Sequence, residues 1–149
     1  MELNSHFDDS TETAKIFSTL VDLLSYRAQG QSDKTSYTFL QNPETEAGRL
    51  TYQELDRRAR AIAAYLQSLG VSGERALLLY QPGLEYIAAF FGCLYANVVA
   101  VPAYPPRRNQ NMSRLQAIVA SSQATLGLTT TSLLGNIEQG KRKKKMPKI

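Results

Sequence analysis

The stretch Ala76-Leu77-Leu78-Leu79-Tyr80 is an uninterrupted apolar run, typical of a strand that is covered on both faces of a sheet. Two further runs follow it, Val98-Val99-Ala100-Val101 and Ala124 to Thr129. The runs begin at residues 76, 98 and 124, which leaves room for a helical crossover in each interval. We expect those helices to run from Pro82-Gly83 to about Tyr95 and over residues 113–122. This alternation predicts an α/β fold with a partial, doubly wound parallel sheet and flanking helices.

The sequence before these strands predicts a small antiparallel hairpin between two helices. The predicted elements are a helix that Ser18 caps and that runs to about Gln29, a strand over 37–40, a turn over 41–48 and a returning strand over 49–51. Thr51 and Glu54 have the spacing of a capping box, which predicts the start of the second helix. Gly70 is expected to end it.

The positive charge of the chain is confined to its end. Six of the 17 basic residues lie in the last nine positions, which leaves 11 basic against 13 acidic side chains in residues 1–140, a net charge of −2. We therefore expect a loose lead-in over residues 1–15, a globular part over 16–138 and a disordered lysine-rich tail over 139–149. The globular part has no basic face, so no specific nucleic-acid partner is predicted.

Composition excludes several classes of protein. The most apolar stretch, Tyr86 to Tyr95, is ten residues long, and a membrane span needs about 20. The polar and acidic start of the chain does not resemble a secretory signal, so a cytoplasmic location is expected. One Cys and one His allow neither an internal disulfide nor a Cys/His zinc cage.

The residue types that carry chemistry are sparse, and we predict no catalytic, cofactor-binding or metal-binding residue. Residues 135–141 match most of a phosphate-binding G-x-x-x-x-G-K-[ST] loop, but Arg142 replaces the hydroxyl residue that such a loop needs for Mg²⁺. Cys93 lies within an apolar helix and is interpreted as a core residue. His6 is interpreted as a solvated side chain of the lead-in.

The segment from Val101 to Arg108 is the most informative irregular stretch. It follows a buried strand at its carboxyl end, where open α/β sheets bind ligands. Tyr104, Pro105 and Pro106 are therefore candidates for the wall of a substrate pocket. The alternative is a rigid connection to the next helix.

Residues 141–149 leave three interpretations open. The lysine cluster could bind anionic lipid or nucleic acid without specificity, it could be a solvated end without a role, or it could be the product of out-of-frame translation.

Several motifs resemble those of adenylate-forming enzymes. Leu50-Thr51-Tyr52-Gln53-Glu54-Leu55 is similar to their first core motif, L-[TS]-Y-x-E-L, and residues 94–102 are similar to their second, in which Gly usually stands where this chain has Asn97. Residues 80–93 and 101–108 resemble fatty acyl-AMP ligases in particular. The resemblance is collinear over residues 16–138.

The resemblance implies an activity that needs more than this chain. Enzymes of that family use ATP and Mg²⁺ to convert a fatty acid to an acyl-adenylate, and usually pass the acyl group to an acyl carrier protein. Residues 16–138 would correspond to the start of their large N-terminal domain, and their phosphate loop, adenine-binding, magnesium-binding and lysine motifs would follow later. We therefore expect a truncated part of a fatty acid–AMP ligase that is inactive alone and binds no cofactor by itself.

Two alternatives to a ligase part remain. The chain could be a non-catalytic interaction module that pairs with a ligase fragment through an unfinished sheet edge. It could instead be an adaptor whose basic tail binds anionic surfaces.

Overall fold

The computed structural model describes residues 17–106 and 112–135, and the structural statements below concern these residues. Its elements are α1 (Leu20–Gly30), β1 (Thr35–Asn42), β2 (Thr45–Thr51), α2 (Tyr52–Ser68), β3 (Arg75–Leu79), α3 (Leu84–Tyr95), β4 (Val99–Ala103), α4 (Ser113–Ser122) and β5 (Leu126–Thr129). Residues 131–135 form one further helical turn. The lead-in with His6, Arg107 and Arg108, and the whole lysine-rich tail lie outside the described residues.

Strands β3, β4 and β5 form a parallel sheet in the order β4-β3-β5. Residue Leu78 of the central strand pairs with Pro102 on one side and Leu128 on the other. Strands β1 and β2 form a separate antiparallel hairpin. The parallel sheet and the hairpin confirm the predicted fold class.

The side chains of β3 alternate between the two faces of the sheet. Ala76 and Leu78 are 0% and 1% exposed and belong to a core cluster with residues of α2 and α3. Leu77 and Leu79 point to the opposite face, where they line a hollow with residues of α4. Helices therefore lie on both faces of the sheet, which is the doubly wound arrangement.

A second core cluster attaches the N-terminal elements to this layer. It joins α1, the hairpin, α2 and α3 through the buried residues Leu24, Leu50, Leu55, Ala59, Ala88 and Phe91. The capping box is present: the Thr51 hydroxyl accepts the Glu54 N–H at 3.1 Å, and Glu54 Oε2 accepts the Thr51 N–H at 2.9 Å. Helix α2 thus begins where the sequence predicted.

Some predicted boundaries were wrong. The predicted turn over 41–48 is much shorter, because β1 continues to Asn42 and β2 begins at Thr45. The Asn42 side chain accepts the Glu44 N–H at 3.1 Å and so closes a compact turn. The cap of α1 is Thr19 rather than Ser18, since the Thr19 hydroxyl accepts the N–H of Asp22.

No helix in residues 17–106 or 112–135 is both long enough and apolar enough to cross a membrane.

Candidate functional site

A groove of about 290 Å³ opens at the carboxyl ends of β3 and β4, and we call it the β3–β4 groove. Its lining residues come from the two strands, the segments that follow them and the first turn of α3: Leu78, Tyr80, Gln81, Pro82, Tyr86, Pro102, Ala103 and Tyr104. Open α/β sheets bind ligands outside the carboxyl ends of their strands. The groove therefore lies where this fold would hold a substrate.

The floor of the groove is fixed by the core. Leu78 is 1% exposed, and its register partner Pro102 lies beside it on β4. Tyr86 stacks on Phe90 one turn further along α3, with their ring centroids 6.3 Å apart. These contacts hold the inner wall in one arrangement, as a binding site requires.

Tyr80 contributes one of the polar side chains of the lining. It is half-buried and follows directly after β3. Burial raises the pKa of its hydroxyl, and Cys93 and Glu85 raise it further. The hydroxyl therefore stays protonated near neutral pH and can act as a hydrogen-bond donor.

The three residues predicted from sequence occupy different positions. Tyr104 lines the groove and is 72% exposed, so it forms part of the rim. Pro105 is buried and Pro106 is half-buried, and neither belongs to the lining residues. The role of all three as a pocket wall stays a prediction.

Sequence analysis missed the β3 side of the groove, namely Tyr80, Gln81, Pro82 and Tyr86. A signal was present, since Tyr80-Gln81-Pro82-Gly83 follows a predicted parallel strand just as Val101 to Arg108 does. The carboxyl ends of adjacent parallel strands meet at one edge of a sheet. Applying that rule to both strands would have placed the two segments together.

The lining of the groove sets what it can bind. It offers aliphatic and aromatic surface, three tyrosine hydroxyls and one amide, and includes no charged side chain. Such a lining suits an alkyl chain or a flat ring better than a phosphate group. Within the described ranges, no three His, Cys, Asp or Glu residues lie close enough together to hold a metal ion.

A cluster of polar side chains outside the β3–β4 groove connects helices α1, α2 and α3, and we assign it a structural role rather than a catalytic one. The Tyr95 hydroxyl donates to Asp56 Oδ1 at 2.5 Å, and Arg60 Nε donates to Asp56 Oδ2 at 2.7 Å. Arg60 also donates to the Ser25 hydroxyl at 3.1 Å and lies over the Tyr95 ring, 5.2 Å from its centroid. The cluster therefore ties α1 to α2 and α3.

Cys93 is a core residue, as predicted. It is 0% exposed, and burial raises the pKa of its thiol to about 11. A buried thiol that stays protonated is a poor nucleophile.

Comparison with known proteins identifies the family. The model of the AMP-binding enzyme family matches residues 24–149. The medium-chain-fatty-acid–[acyl-carrier-protein] ligase JamA of Moorena producens is 52% identical over 126 residues, which are 83% of this chain and 21% of that protein. The long-chain-fatty-acid–AMP ligase FadD26 of Mycobacterium tuberculosis is 36% identical over 118 residues, which are 77% of this chain and 20% of that protein.

Solved structures agree with the curated relatives. A fatty acyl-adenylate ligase of Legionella pneumophila, solved with acyl adenylate and pyrophosphate, superimposes with a TM-score of 0.73 at 44% identity. The overlap covers 79% of this chain and 21% of that one. The chain therefore spans about one-fifth of the length of the relatives it matches. With a family match over residues 24–149 and these relatives, the chain belongs to the AMP-binding enzymes and resembles their fatty acyl-AMP ligases.

Proposed function

We propose that this chain serves as one part of an ATP-dependent fatty acid–AMP ligase, an enzyme that joins a fatty acid to AMP and releases pyrophosphate. The observation that carries the proposal is the β3–β4 groove, an uncharged cleft at the ligand-binding end of the sheet. The 52% identity to a medium-chain fatty-acid ligase and the likeness to an acyl-adenylate ligase support it.

The groove would contact the fatty acyl group. Its floor is the buried Leu78, its inner wall is the stacked Tyr86, and its rim carries Tyr104. An alkyl chain placed there would lose contact with water against the apolar part of the lining. Pro105 and Pro106 follow Tyr104 and would stiffen the backbone behind this wall.

ATP and Mg²⁺ would be held largely by other parts of the enzyme. Adenylation transfers AMP from ATP to the fatty-acid carboxylate with pyrophosphate as the leaving group, and it requires positive charge around the triphosphate, supplied by Lys, Arg or a metal ion. The groove lining offers none of these. We therefore expect residues 1–149 alone not to catalyse adenylation, and the remaining four-fifths of the relatives' length to supply the phosphate and metal contacts.

The acceptor of the acyl group would be an acyl carrier protein in the cytoplasm. This part of the proposal is supported by the Moorena producens relative, whose name specifies a carrier protein as its acceptor.

A second candidate, the non-catalytic interaction module, is favoured by the open edges of the parallel sheet. In the described part of the chain, β4 and β5 each pair on one side only. Pro102 has no backbone N–H, so β4 lacks one hydrogen-bond donor, whereas β5 has no proline and keeps all its N–H groups. The edge of β5 is therefore the better place for a strand of another ligase fragment to pair.

The groove is tested in a hybrid ligase, in which residues 17–135 replace the matching region of the Moorena producens ligase. Tyr104→Ala should raise the KM for a medium-chain fatty acid and leave the KM for ATP unchanged. Tyr65→Ala is the matched control, because Tyr65 is 64% exposed on α2 and does not line the groove. Equal fatty-acid KM values for Tyr104→Ala and Tyr65→Ala would rule out the proposed wall.

A further inference from the structure

The polar side chains of the β3–β4 groove have no hydrogen-bond partner among residues 17–106 and 112–135. They belong to Tyr80, Gln81, Tyr86 and Tyr104, and none of them hydrogen-bonds another residue in these ranges. Tyr95 provides the contrast, because its part-buried hydroxyl donates to Asp56. A tyrosine that loses contact with water usually places its hydroxyl on a partner in this way. The polar groups of the groove are therefore available to a bound molecule.

Tyr80 and Tyr86 are the two lining residues whose hydroxyls a ligand would affect most. Both are half-buried, whereas Gln81 and Tyr104 are exposed and keep their water. A molecule that fills the groove displaces water from the half-buried hydroxyls, and a hydroxyl that loses water without gaining a partner weakens binding. An oxygen atom on the ligand would restore the lost hydrogen bond. An unsubstituted alkyl chain is therefore not the best complement to this lining.

The charge around Tyr80 favours a neutral group on the ligand. Glu85 lies in the first turn of α3, near enough to Tyr80 that its carboxylate helps to raise the pKa of the Tyr80 hydroxyl. The lining includes no Lys or Arg that would balance a second negative charge. An ammonium group could not accept a hydrogen bond from the Tyr80 hydroxyl. The carboxylate of an acid would therefore lie elsewhere, and the group near Tyr80 would belong to the body of the acyl chain.

We infer that the β3–β4 groove selects acids whose chain carries a neutral oxygen group, such as a hydroxyl, and that Tyr80 donates the hydrogen bond that selects it. The inference rests on the proposed function and adds the substrate class. Tyr80 is a specificity residue here and takes no part in bond making. The oxygen could be carried by an alkyl chain or by a phenol ring, because Tyr86 and Pro102 also offer flat surface to a ring.

Paired substrates test this selection in the hybrid ligase described above. One pair is octanoate and ω-hydroxyoctanoate, and the other is phenylpropanoate and para-hydroxyphenylpropanoate. Pyrophosphate release gives kcat/KM for each acid, and the ratio of the hydroxylated to the unsubstituted acid is compared between proteins. Tyr80→Phe removes only the hydroxyl from the groove. Tyr65→Phe is the matched control, because Tyr65 is 64% exposed on α2 and does not line the groove.

The expected result is a preference for the hydroxylated acid in at least one pair. Tyr80→Phe should lower that ratio by about threefold to tenfold, the effect of one hydrogen bond, and Tyr65→Phe should leave it unchanged. The pair that responds identifies the alkyl or the phenol source. Since the Tyr80 hydroxyl bonds no described residue, Tyr80→Phe should not shift the urea midpoint of unfolding. An unchanged midpoint separates a loss of selection from a loss of structure.

Other results would overturn the inference. Ratios that are the same in the native hybrid and in Tyr80→Phe for both pairs would show that the hydroxyl selects nothing. An active hybrid with such ratios refutes only the selection, whereas a folded but inactive hybrid refutes the proposed function. In that second case, saturation-transfer NMR measures binding of the same acids to the 149-residue chain. Weaker binding of a hydroxylated acid to Tyr80→Phe supports the inference, and equal or absent binding overturns it.

Discussion

Gly92 of α3 lies directly against Ile62 of α2: a Cβ atom on Gly92 would come within 2.5 Å of Ile62 Cγ2 and 2.7 Å of Ile62 Cβ. Both atoms belong to the branched start of the Ile62 side chain, which cannot swing away as a flexible tip could. The absence of a side chain at position 92 therefore sets how closely α2 and α3 approach. Helices α2 and α3 cover the face of the parallel sheet on which Ala76 and Leu78 lie.

Gly92→Ala should lower the free energy of unfolding by about 1–2 kcal/mol, because overpacking costs more than the roughly 1 kcal/mol that Ala gains over Gly within a helix. Urea denaturation measures this. The matched control is Gly30→Ala in α1, where an added Cβ meets nothing within 4 Å, and it should not destabilise the protein. If Ile62→Ala did not reduce the cost of Gly92→Ala, the contact would not be its cause.

Asn97 adopts the left-handed backbone conformation that explains why related motifs prefer Gly at this position. Its φ is +56°, its carbonyl accepts the Gly73 N–H at 2.7 Å and its side chain donates to Ser72 Oγ at 3.1 Å. Asn tolerates this conformation better than most residues. Asn97→Gly should change the free energy of unfolding by less than about 0.5 kcal/mol, whereas Asn97→Val should cost more than about 1 kcal/mol. Similar thermal midpoints for the two variants would contradict this account.

The capping box predicts a loss of stability in acid. The backbone N–H of Thr51, donated to the Glu54 carboxylate, holds the pKa of Glu54 below its ordinary value of 4.5. A carboxyl group with a lowered folded-state pKa contributes stability above its unfolded pKa, and that contribution is lost as the pH falls through the folded value. Glu54→Gln keeps an acceptor but cannot titrate. The stability advantage of the native chain over Glu54→Gln should therefore shrink below about pH 4.5, and an advantage independent of pH would contradict the prediction.

The raised pKa of Tyr95 predicts a loss of stability at alkaline pH. Burial, together with the hydrogen bond to Asp56, raises the pKa of Tyr95 from 10.0 to about 12. A raised folded-state pKa contributes stability that is complete below the unfolded value and is lost as the pH rises toward the folded value. Tyr95→Phe should lower stability by about 1.5 kcal/mol at neutral pH. The difference in the free energy of unfolding between the native chain and Tyr95→Phe should become smaller between pH 10 and 12. Urea denaturation at a series of pH values measures this difference, and a difference that does not change with pH would contradict the assignment.

Local sequence signals were sufficient for most of the fold. The apolar runs at β3 and β4, the capping box at Thr51 and the 113–122 helix each depend on a short stretch of sequence, and each is present in the structure. The turn between β1 and β2 was predicted to be longer than it is. Residues at both ends of the predicted range pair as strands, and a hydrogen bond to the Asn42 side chain closes the short turn that is left.

The candidate groove depends on tertiary arrangement, and the role of Tyr104, Pro105 and Pro106 as its wall stays a prediction. Tyr104 was found from its own segment, but Tyr80 and Tyr86 join it only because β3 and β4 are neighbours in register. The apolar hollow that Leu77 and Leu79 line with residues of α4 was not predicted at all. Sequence periodicity shows that Leu77 and Val119 are apolar, but it does not show how completely a neighbouring element covers them.

Release of pyrophosphate from ATP in the presence of a medium-chain fatty acid tests the central claim most directly. It is measured for the purified 149-residue chain and for the hybrid ligase carrying residues 17–135, against a blank without protein. The account predicts fatty-acid-dependent release by the hybrid and no release above the blank by the 149-residue chain. Turnover by the 149-residue chain alone, or a folded hybrid that releases no pyrophosphate, would contradict it.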